Sequence, residues 1–520
     1  MKTQTILLLT VISLLFIRCS NEVPDTDTIF DEKIALSKRI KMAMDKNYLA
    51  DLGIDEENAA LIRNFYSKRK FKPVWANDSM LLETGIKMEE IVSHPNCMGI
   101  PANRWKKTVA SQKEIISKEL LLTAQMGFTY TDLHNGILDT ATRAMKPLKW
   151  SNTTNWERQL DTVTNWGIWF AKCGSAHPDY QRLAIGLFNY AYNRSFSTNA
   201  FEIPNIKEDS TKCYEQARLA LIDKGYLEKG KPDSVFINAL ETFQEENGLK
   251  PDAVIGTYTR KSLEESAQAK IDRAILSLER WRWRAEFPDR YVWINIPEYM
   301  LRLYYNDSLL SEHRVVVGKM DTKTPQLESK ITSITSYPYW TVPYSITSKE
   351  MLPALKRSAG YMAKNHYKLF NKDQEIDPYS VNWGKIRKNT FPYKVRQEPG
   401  THNSLGVIKF EFNNPYGVYV HDTPSKGLFG TDIRSYSHGC IRCNLPDSLA
   451  RFILRRDDQR ITADSLDSMI FKEQHRSIRL KHSVPIKVDY ITVTTDFDNK
   501  LTFHPDIYRR DEEYLKWFKK

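Results

Sequence analysis

Near Tyr291 the hydrophobic pattern of the chain changes period, and a single domain does not accommodate both patterns. From Phe30 to about Phe201, stretches such as "DEKIALSKRIKMAM" and "YQRLAIGLFNYAY" repeat apolar residues every three or four positions, which predicts a helical scaffold domain over 30–207. From Tyr291 onward "YVWINIP", "YMLRLYY" and "HRVVVG" are short, β-branched and aromatic. In "VIKFEF", Ile408, Phe410 and Phe412 alternate with Lys409 and Glu411, and "IKVDYITV" alternates likewise. A mostly-β domain with some helix is expected over 291–495. Between "YPYWTVPYSI" and "LGVIKFEF" lies an insertion, 347–403, whose opening "KEMLPALKRSAGYMAKN" is helical and fits no strand register. Insertions of this length often serve as lids, so a helical capping insertion is expected. A helical connector over 267–290 and a C-terminal segment over 496–520, packed on the scaffold or the β domain, complete this part of the multidomain reading.

A smaller unit lies between these halves. In "VFINALETFQEENGLKPDAVIGTYTRKSL", Val235, Ala239, Leu240 and Phe243 share one helix face. Asn247-Gly248 ends that helix, and a turn with Pro251 and Gly256 leads into another. The preceding "CYEQARLALIDKGYL" supplies a first helix. The spacing F-Q-x-x-N-G-L followed by x-I-G-x-x-T resembles the three-helix peptidoglycan-binding domain of cell-wall hydrolases, here over 208–266.

The start of the chain bears on location. "MKTQTILLLTVISLLFIRCSNE" places a lysine before an apolar run, Ile6–Ile17, that rises only about 18 Å as a helix against a bilayer core of about 30 Å. It reads as an export signal over 1–18. Cys19 directly after the run resembles the acylated cysteine of a bacterial lipoprotein, although Arg18 departs from the usual small residue, and 19–29 reads as a polar tether. A periplasmic, membrane-anchored envelope protein is therefore expected. Lys and Arg total 75 against 64 Asp and Glu, a net charge of +11 that suits anionic surroundings. No basic cluster is interleaved with stacking aromatics, which argues against a nucleic-acid partner. Of six cysteines, Cys97, Cys173 and Cys213 lie in apolar helical patterns and are expected as small core residues.

Chemistry concentrates in "HDTPSKGLFGTDIRSYSHGCIRC", His421 to Cys443. Cys440 and Cys443 have C-x-x-C spacing, which suits a redox pair or half of a zinc site completed by His421 and His438. The strand-to-helix setting of the first and the second close ligand pair of the other are both missing. A third reading is one thiolate nucleophile, which needs an imidazole within reach and backbone N–H donors for an oxyanion. His421 closes the strand "YGVYVH" 19 residues before Cys440, and Gly439 permits a tight turn that could aim the N–H groups of Gly439 and Cys440 at one point.

"HDTP" followed by "RSYSHGCIR" resembles the signature of the L,D-transpeptidase catalytic domain, also called the YkuD domain. "LERWRW", "VVVGKMDTKTPQ", "RQEPGTHNSLGVIKF" and "FHPDIYRRDEEY" extend the likeness to the long multidomain branch with scaffold, peptidoglycan-binding domain and capping insertion. The resemblance implies Cys440 as nucleophile and His421 as the base that later protonates the leaving amine. It implies that Ser437, His438, Gly439 and Arg442 shape the substrate and oxyanion site, with Asp422 anchoring the loop. His402 is expected to stabilise a loop, and Cys443 departs from the aliphatic residue usual there, which raises a disulfide with Cys440 beside a buried thiol.

The implied reaction joins peptidoglycan stem peptides 3→3 through a cysteine thioester, with release of D-alanine and without metal or organic cofactor. Donor tetrapeptide, acceptor amine and glycan strands are the implied partners, and carbapenem-type β-lactams would acylate the same sulfur. An L,D-carboxypeptidase, an enzyme attaching protein to the wall and an inactive wall anchor remain as alternatives.

Overall fold

The computed structural model describes residues 26–45, 48–105, 108–149, 156, 163–192, 197–283, 287–457 and 461–519. The expected signal segment and Cys19 lie outside them. Among the described residues no helix is long and apolar enough to cross a membrane. The chain divides into two compact units, Met1–Ser93 with Trp105–Gly127, and His94–Arg104 with Phe128–Lys520.

The first unit is helical. Its helix Glu56–Lys68 is capped by Asp55, whose carboxylate accepts the Asn58 N–H, as expected where an acidic residue precedes a helical run. The loop before Trp75 is pinned by the buried carboxylate of Glu119, which accepts the N–H groups of Val74 at 2.7 Å and Trp75 at 2.8 Å and the Tyr66 hydroxyl at 2.8 Å. The aromatics around "FYSKRKFKPVW" thus close a buried polar knot.

The second unit contains the three-helix cluster, Ser210–Asp223, Asp233–Glu246 and Thr257–Glu264, around Ala217, Leu221, Leu240, Phe243 and Leu263. Phe236, not Val235, completes the buried face of the second helix, and Val235 is exposed. At 3.6 residues per turn both positions lie near that face, and the larger ring takes the interior. Helix Ala267–Arg282 then leads to the β domain.

We number the strands of this unit from Arg290. They are β1 (Arg290–Asn295), β2 (Met300–Tyr305), β3 (Ser308–Gly318), β4 (Leu327–Ser336), β5 (Trp340–Thr341), β6 (Tyr367–Asn371), β7 (Gln374–Ile376), β8 (Lys394–Gln397), β9 (Ile408–Phe412), β10 (Val420–His421), β11 (Ser435–Ser437), β12 (Ile441–Cys443), β13 (Arg476–Asp489), β14 (Val493–Thr495) and β15 (Leu501–Phe503). The main sheet runs β11-β3-β12-β10-β9-β4-β13-β1-β2, and β2 also pairs with β3, so the order returns on itself. Its inner face is apolar: Ile408, Phe410 and Phe412 of β9 are buried with Val420, Ile441 and Cys443, and the helix Pro446–Leu454 packs on the same core.

The capping insertion opens on a π-helical turn, Thr347–Met351, followed by short helices, Leu352–Arg357 and Tyr361–Lys364, and its strands join β5, just before it, in a separate sheet, β5-β8-β6-β7. Those strands have two to five residues, too few to show a period in the sequence. The C-terminal segment is tied down by Asp511, whose carboxylate pairs with Arg280 at 2.5 Å and Arg273 at 3.2 Å.

Two histidines of this unit are buried as neutral rings. Burial lowers His177 to about 4, against the pull of Asp179, and lowers His504 to about 4, against Glu298. Both folded values lie below the ordinary value near 6.5, so the unfolded chain takes up protons that the folded chain refuses. Stability is therefore expected to fall as pH drops from about 6.5 towards 4. Calorimetric melting at pH 7.5, 5.5 and 4.5 should show a declining Tm, and a flat or rising Tm contradicts the assignment.

Candidate active site

The centre of the site is a short parallel pairing. β10 lies beside β12 with Val420 opposite Ile441 and His421 opposite Arg442. Because side chains alternate along a strand, Val420, Ile441 and Cys443 enter the core, while His421 and Arg442 occupy the opposite face. Cys440, two positions from Arg442, and Tyr419, two positions from His421, extend that face.

His421 is buried, and its Nδ1 lies 2.5 Å from the Asp422 carbonyl oxygen. A carbonyl only accepts, so Nδ1 carries the proton and Nε2 keeps its lone pair. Burial, with the Arg442 charge second, lowers His421 to about 3. The ring is a neutral base. The Asp422 carboxylate accepts the Val407 N–H at 3.0 Å and pairs with Lys426, so it anchors the loop that carries the histidine.

Burial raises Cys440 above the ordinary thiol value, and donors from the Tyr419 backbone N–H and hydroxyl, with Lys409 and Arg442 behind them, work against that rise. The Tyr419 backbone N–H and hydroxyl lead the groups that favour charge on the sulfur. The Tyr419 ring meets His421 edge-on at 5.5 Å, carries the Lys409 ammonium 4.4 Å from its centroid, and its hydroxyl accepts the Trp340 Nε1–H at 3.1 Å. Sequence reasoning passed over Tyr419 because an aromatic in a strand reads as packing. Its position two residues before His421, on the same face, was the available signal.

The loop bearing Cys440 is braced from within and from afar. The Ser437 hydroxyl donates to the Cys440 carbonyl at 2.5 Å and accepts the Gly439 N–H at 3.1 Å. That corrects the expectation of Gly439 as an oxyanion donor, since its N–H is committed to Ser437 and the Ser437 hydroxyl is spent on the loop. Gly439 has φ +113°, a region costly for any other residue, while a Cβ there would meet no atom within 3.7 Å. The glycine is required by conformation, not by space.

Thr324 donates to the Gly439 carbonyl at 2.9 Å and accepts the Gly318 N–H at 2.9 Å. The Tyr508 hydroxyl donates to the Gly318 carbonyl at 2.7 Å and accepts the Thr324 N–H at 3.1 Å. These braces were not visible in the sequence.

His438 meets Glu350 of the insertion, Nε2 to Oε1 at 2.5 Å, where Glu350 rides on a π-helical turn, Thr347–Met351. Arg442 has a buried Nε without a hydrogen-bond partner among the described residues, so it retains donor capacity on the site's face. His402 packs against His366 with the rings tilted and centroids 3.8 Å apart, inside the insertion. Cys443 is fully buried, with its thiol 3.3 Å from the Asn444 carbonyl, and all five described cysteines are free. Cys443 on β12 faces the core, whereas Cys440, just before the strand, continues the opposite face, an arrangement that keeps the two sulfurs apart.

Residues 289–461 match the family model of the L,D-transpeptidase catalytic domain (YkuD), and residues 60–187 match that of a Scaffold domain. The chain carries an L,D-transpeptidase catalytic domain. A Haemophilus influenzae protein named "Putative L,D-transpeptidase" is 31% identical over 223 residues, 43% of this chain and 45% of that protein. The chain thus matches less than half the length of that curated relative. A solved L,D-transpeptidase of Stackebrandtia nassauensis is 12% identical, with 57% of this chain and 96% of that chain covered at a TM-score of 0.20. One from Mycobacterium smegmatis is 15% identical, with 39% and 58% covered at 0.19. The L,D-transpeptidase domain spans both His421 and Cys440.

Removing the hydroxyl in Tyr419→Phe takes a donor from the thiolate of Cys440. Hydrogen bonds to charged groups contribute about 1.5–3 kcal/mol, so alkylation of Cys440 by iodoacetamide at pH 8 should slow by roughly tenfold or more. The pH midpoint of that reaction should move upward. An unchanged midpoint contradicts the role of the hydroxyl.

Proposed function

We propose that this chain is a peptidoglycan L,D-transpeptidase that forms 3→3 cross-links through a thioester on Cys440. The observation that carries the reading is the neutral, buried His421 with Nδ1–H fixed on the Asp422 carbonyl and Nε2 left as base, on the same sheet face as Cys440. His421 takes the thiol proton as the sulfur attacks the carbonyl of the third stem residue. The Tyr419 N–H and hydroxyl, which counter the burial cost at the sulfur, and the Arg442 charge would offset the negative charge that develops in the attack. Collapse of the tetrahedral intermediate breaks the bond to the terminal D-alanine, whose amine takes the proton from His421. The amine of a neighbouring stem then attacks the thioester, returns its proton through His421 and frees the thiol. Water as acceptor gives a tripeptide instead.

The wider setting belongs to the same proposal. The three-helix cluster at 208–266 would hold glycan strands, and Cys19 would tether the protein to a membrane of the cell envelope in the periplasm. Ser437, Gly439 and Asp422 act as positioning residues, and His438, bound to Glu350, couples the insertion to the nucleophile loop. The half-buried sulfur of an acyl-accepting site also predicts acylation by carbapenem-type β-lactams.

Purified protein incubated with disaccharide-tetrapeptide should give dimers lacking one D-alanine, read by mass spectrometry, and Cys440→Ala should give none. Tripeptide alone assigns a carboxypeptidase, and an unchanged substrate assigns a wall anchor. His421→Ala should lower the rate by roughly 100- to 10,000-fold, the usual span for a general base. With His421 held at about 3 and the thiol proton passing to it, the pH–rate profile should be level through the ordinary histidine value near 6.5, with no break there. A break there contradicts the neutral-base assignment.

A further inference from the structure

A second concave site lies far from Cys440. A cavity of about 570 Å³ opens beside the start of β3, where Leu309 lines it, whereas Cys440 lies near Gly318 at the end of the same strand. At about 3.4 Å per residue those strand positions are roughly 30 Å apart. The volume falls in the range of about 300–1,000 Å³ typical of small-ligand sites.

Helices and strands converge on it. The helix Pro178–Tyr192 supplies Asp179 and Arg182, which pair with each other, and the Tyr304 hydroxyl donates to Asp179 at 2.7 Å. Facing strands supply Arg302 and Glu312, and the turn before β2 supplies Glu298; Arg302 Nη1 donates to Glu298 at 2.8 Å and Nη2 to Glu312 at 2.9 Å. The hairpin β14–β15 and its turn supply Thr494, Thr495 and Phe497. Phe497 is 76% exposed, with the Arg182 guanidinium 5.1 Å from its ring centroid.

The chemistry of these walls selects a ligand class. Each guanidinium is already matched to a carboxylate, so a free ion would have to break a pair that exists. A purely apolar ligand would cover carboxylates and hydroxyls without giving them partners. A neutral polyol meets both conditions. Its hydroxyls donate to carboxylate edges and accept from guanidinium and threonine donors, and its C–H face rests on an exposed ring. The further acids at the rim, Asp307 and Asp496, disfavour an anionic sugar.

We propose that this cavity binds a neutral hexopyranose unit of a glycan, with the ring face on Phe497 and the hydroxyls on the Asp179–Arg182 and Glu298–Arg302–Glu312 pairs. The saccharide class follows from the cavity alone; that the glycan is the backbone of peptidoglycan rests on the function proposed above. The site would hold the polymer at a distance from the cysteine and so favour stems on an engaged strand.

The test is calorimetric and fluorescence titration of the full chain with the tetramer of N-acetylglucosamine, with Trp281 and Trp293 of the cavity wall as reporters. Saturable binding is expected. Phe497→Ala should weaken it by roughly tenfold, the loss of one stacking platform, at unchanged Tm. Glu312→Gln should weaken it several-fold, at the opposite wall. Cys440→Ala should bind as the parent does, so the result stands whether or not the thioester chemistry holds. Absence of saturable binding overturns the proposal. So does binding that neither Phe497→Ala nor Glu312→Gln alters, which places the sugar at the three-helix cluster. A response to a lysine-rich peptide with none to the oligosaccharide overturns it as well.

Discussion

Two residues of parallel ladder, Val420–His421 against Ile441–Arg442, decide the face on which every reactive group stands. A slip of one position would send His421 into the core and Val420 to the cleft. So short a ladder is not stable by itself. It is held because β9 flanks one side, through Lys409 opposite His421 and Phe410 opposite Val420, and β3 flanks the other, through Val316 opposite Arg442. The apolar residues of the same strands supply the burial that fixes the register. The chemistry on one face is therefore set by hydrophobic packing on the other.

Electrostatics follow from that placement. Removal from water disfavours charge on both partners, raising the thiol and lowering the imidazole, so the resting pair is neutral. Tyr419, Lys409 and Arg442 counter the cost at the sulfur only. Proton transfer is then made favourable by substrate and by these fixed donors, with no ion pair standing exposed beforehand. The insertion and the strand just before it reach the same region, by Glu350 on His438 and by Trp340 on the Tyr419 hydroxyl. Movement of the insertion would change the hydrogen bonding on both sides of the nucleophile.

The change of period near Tyr291 and the alternation in "VIKFEF" were legible because burial on one face imposes a repeat. Cys440 and His421 were legible because thiol, imidazole and glycine types crowd one segment. Other parts left no periodic trace. The strands of the insertion are too short, and Phe236 for Val235 is a choice between adjacent positions that depends on ring size. Thr324 and Tyr508 act through single hydrogen bonds over long separations, which composition does not encode. The Gly439 N–H was misread as free because Ser437, two residues before it, was taken for a substrate contact when it is the loop's own brace.

The link from Tyr508 through Gly318 and Thr324 to the Gly439 carbonyl also has a kinetic side. Contacts between segments far apart in sequence carry a loop-closure cost and form late. The turn at Thr324 that braces the loop carrying Cys440 is therefore complete only when Tyr508 is in place. Were an oxidant present before that docking, two thiols three residues apart would have an opportunity to pair wrongly, and the speed of C-terminal docking would bear on the yield of competent protein.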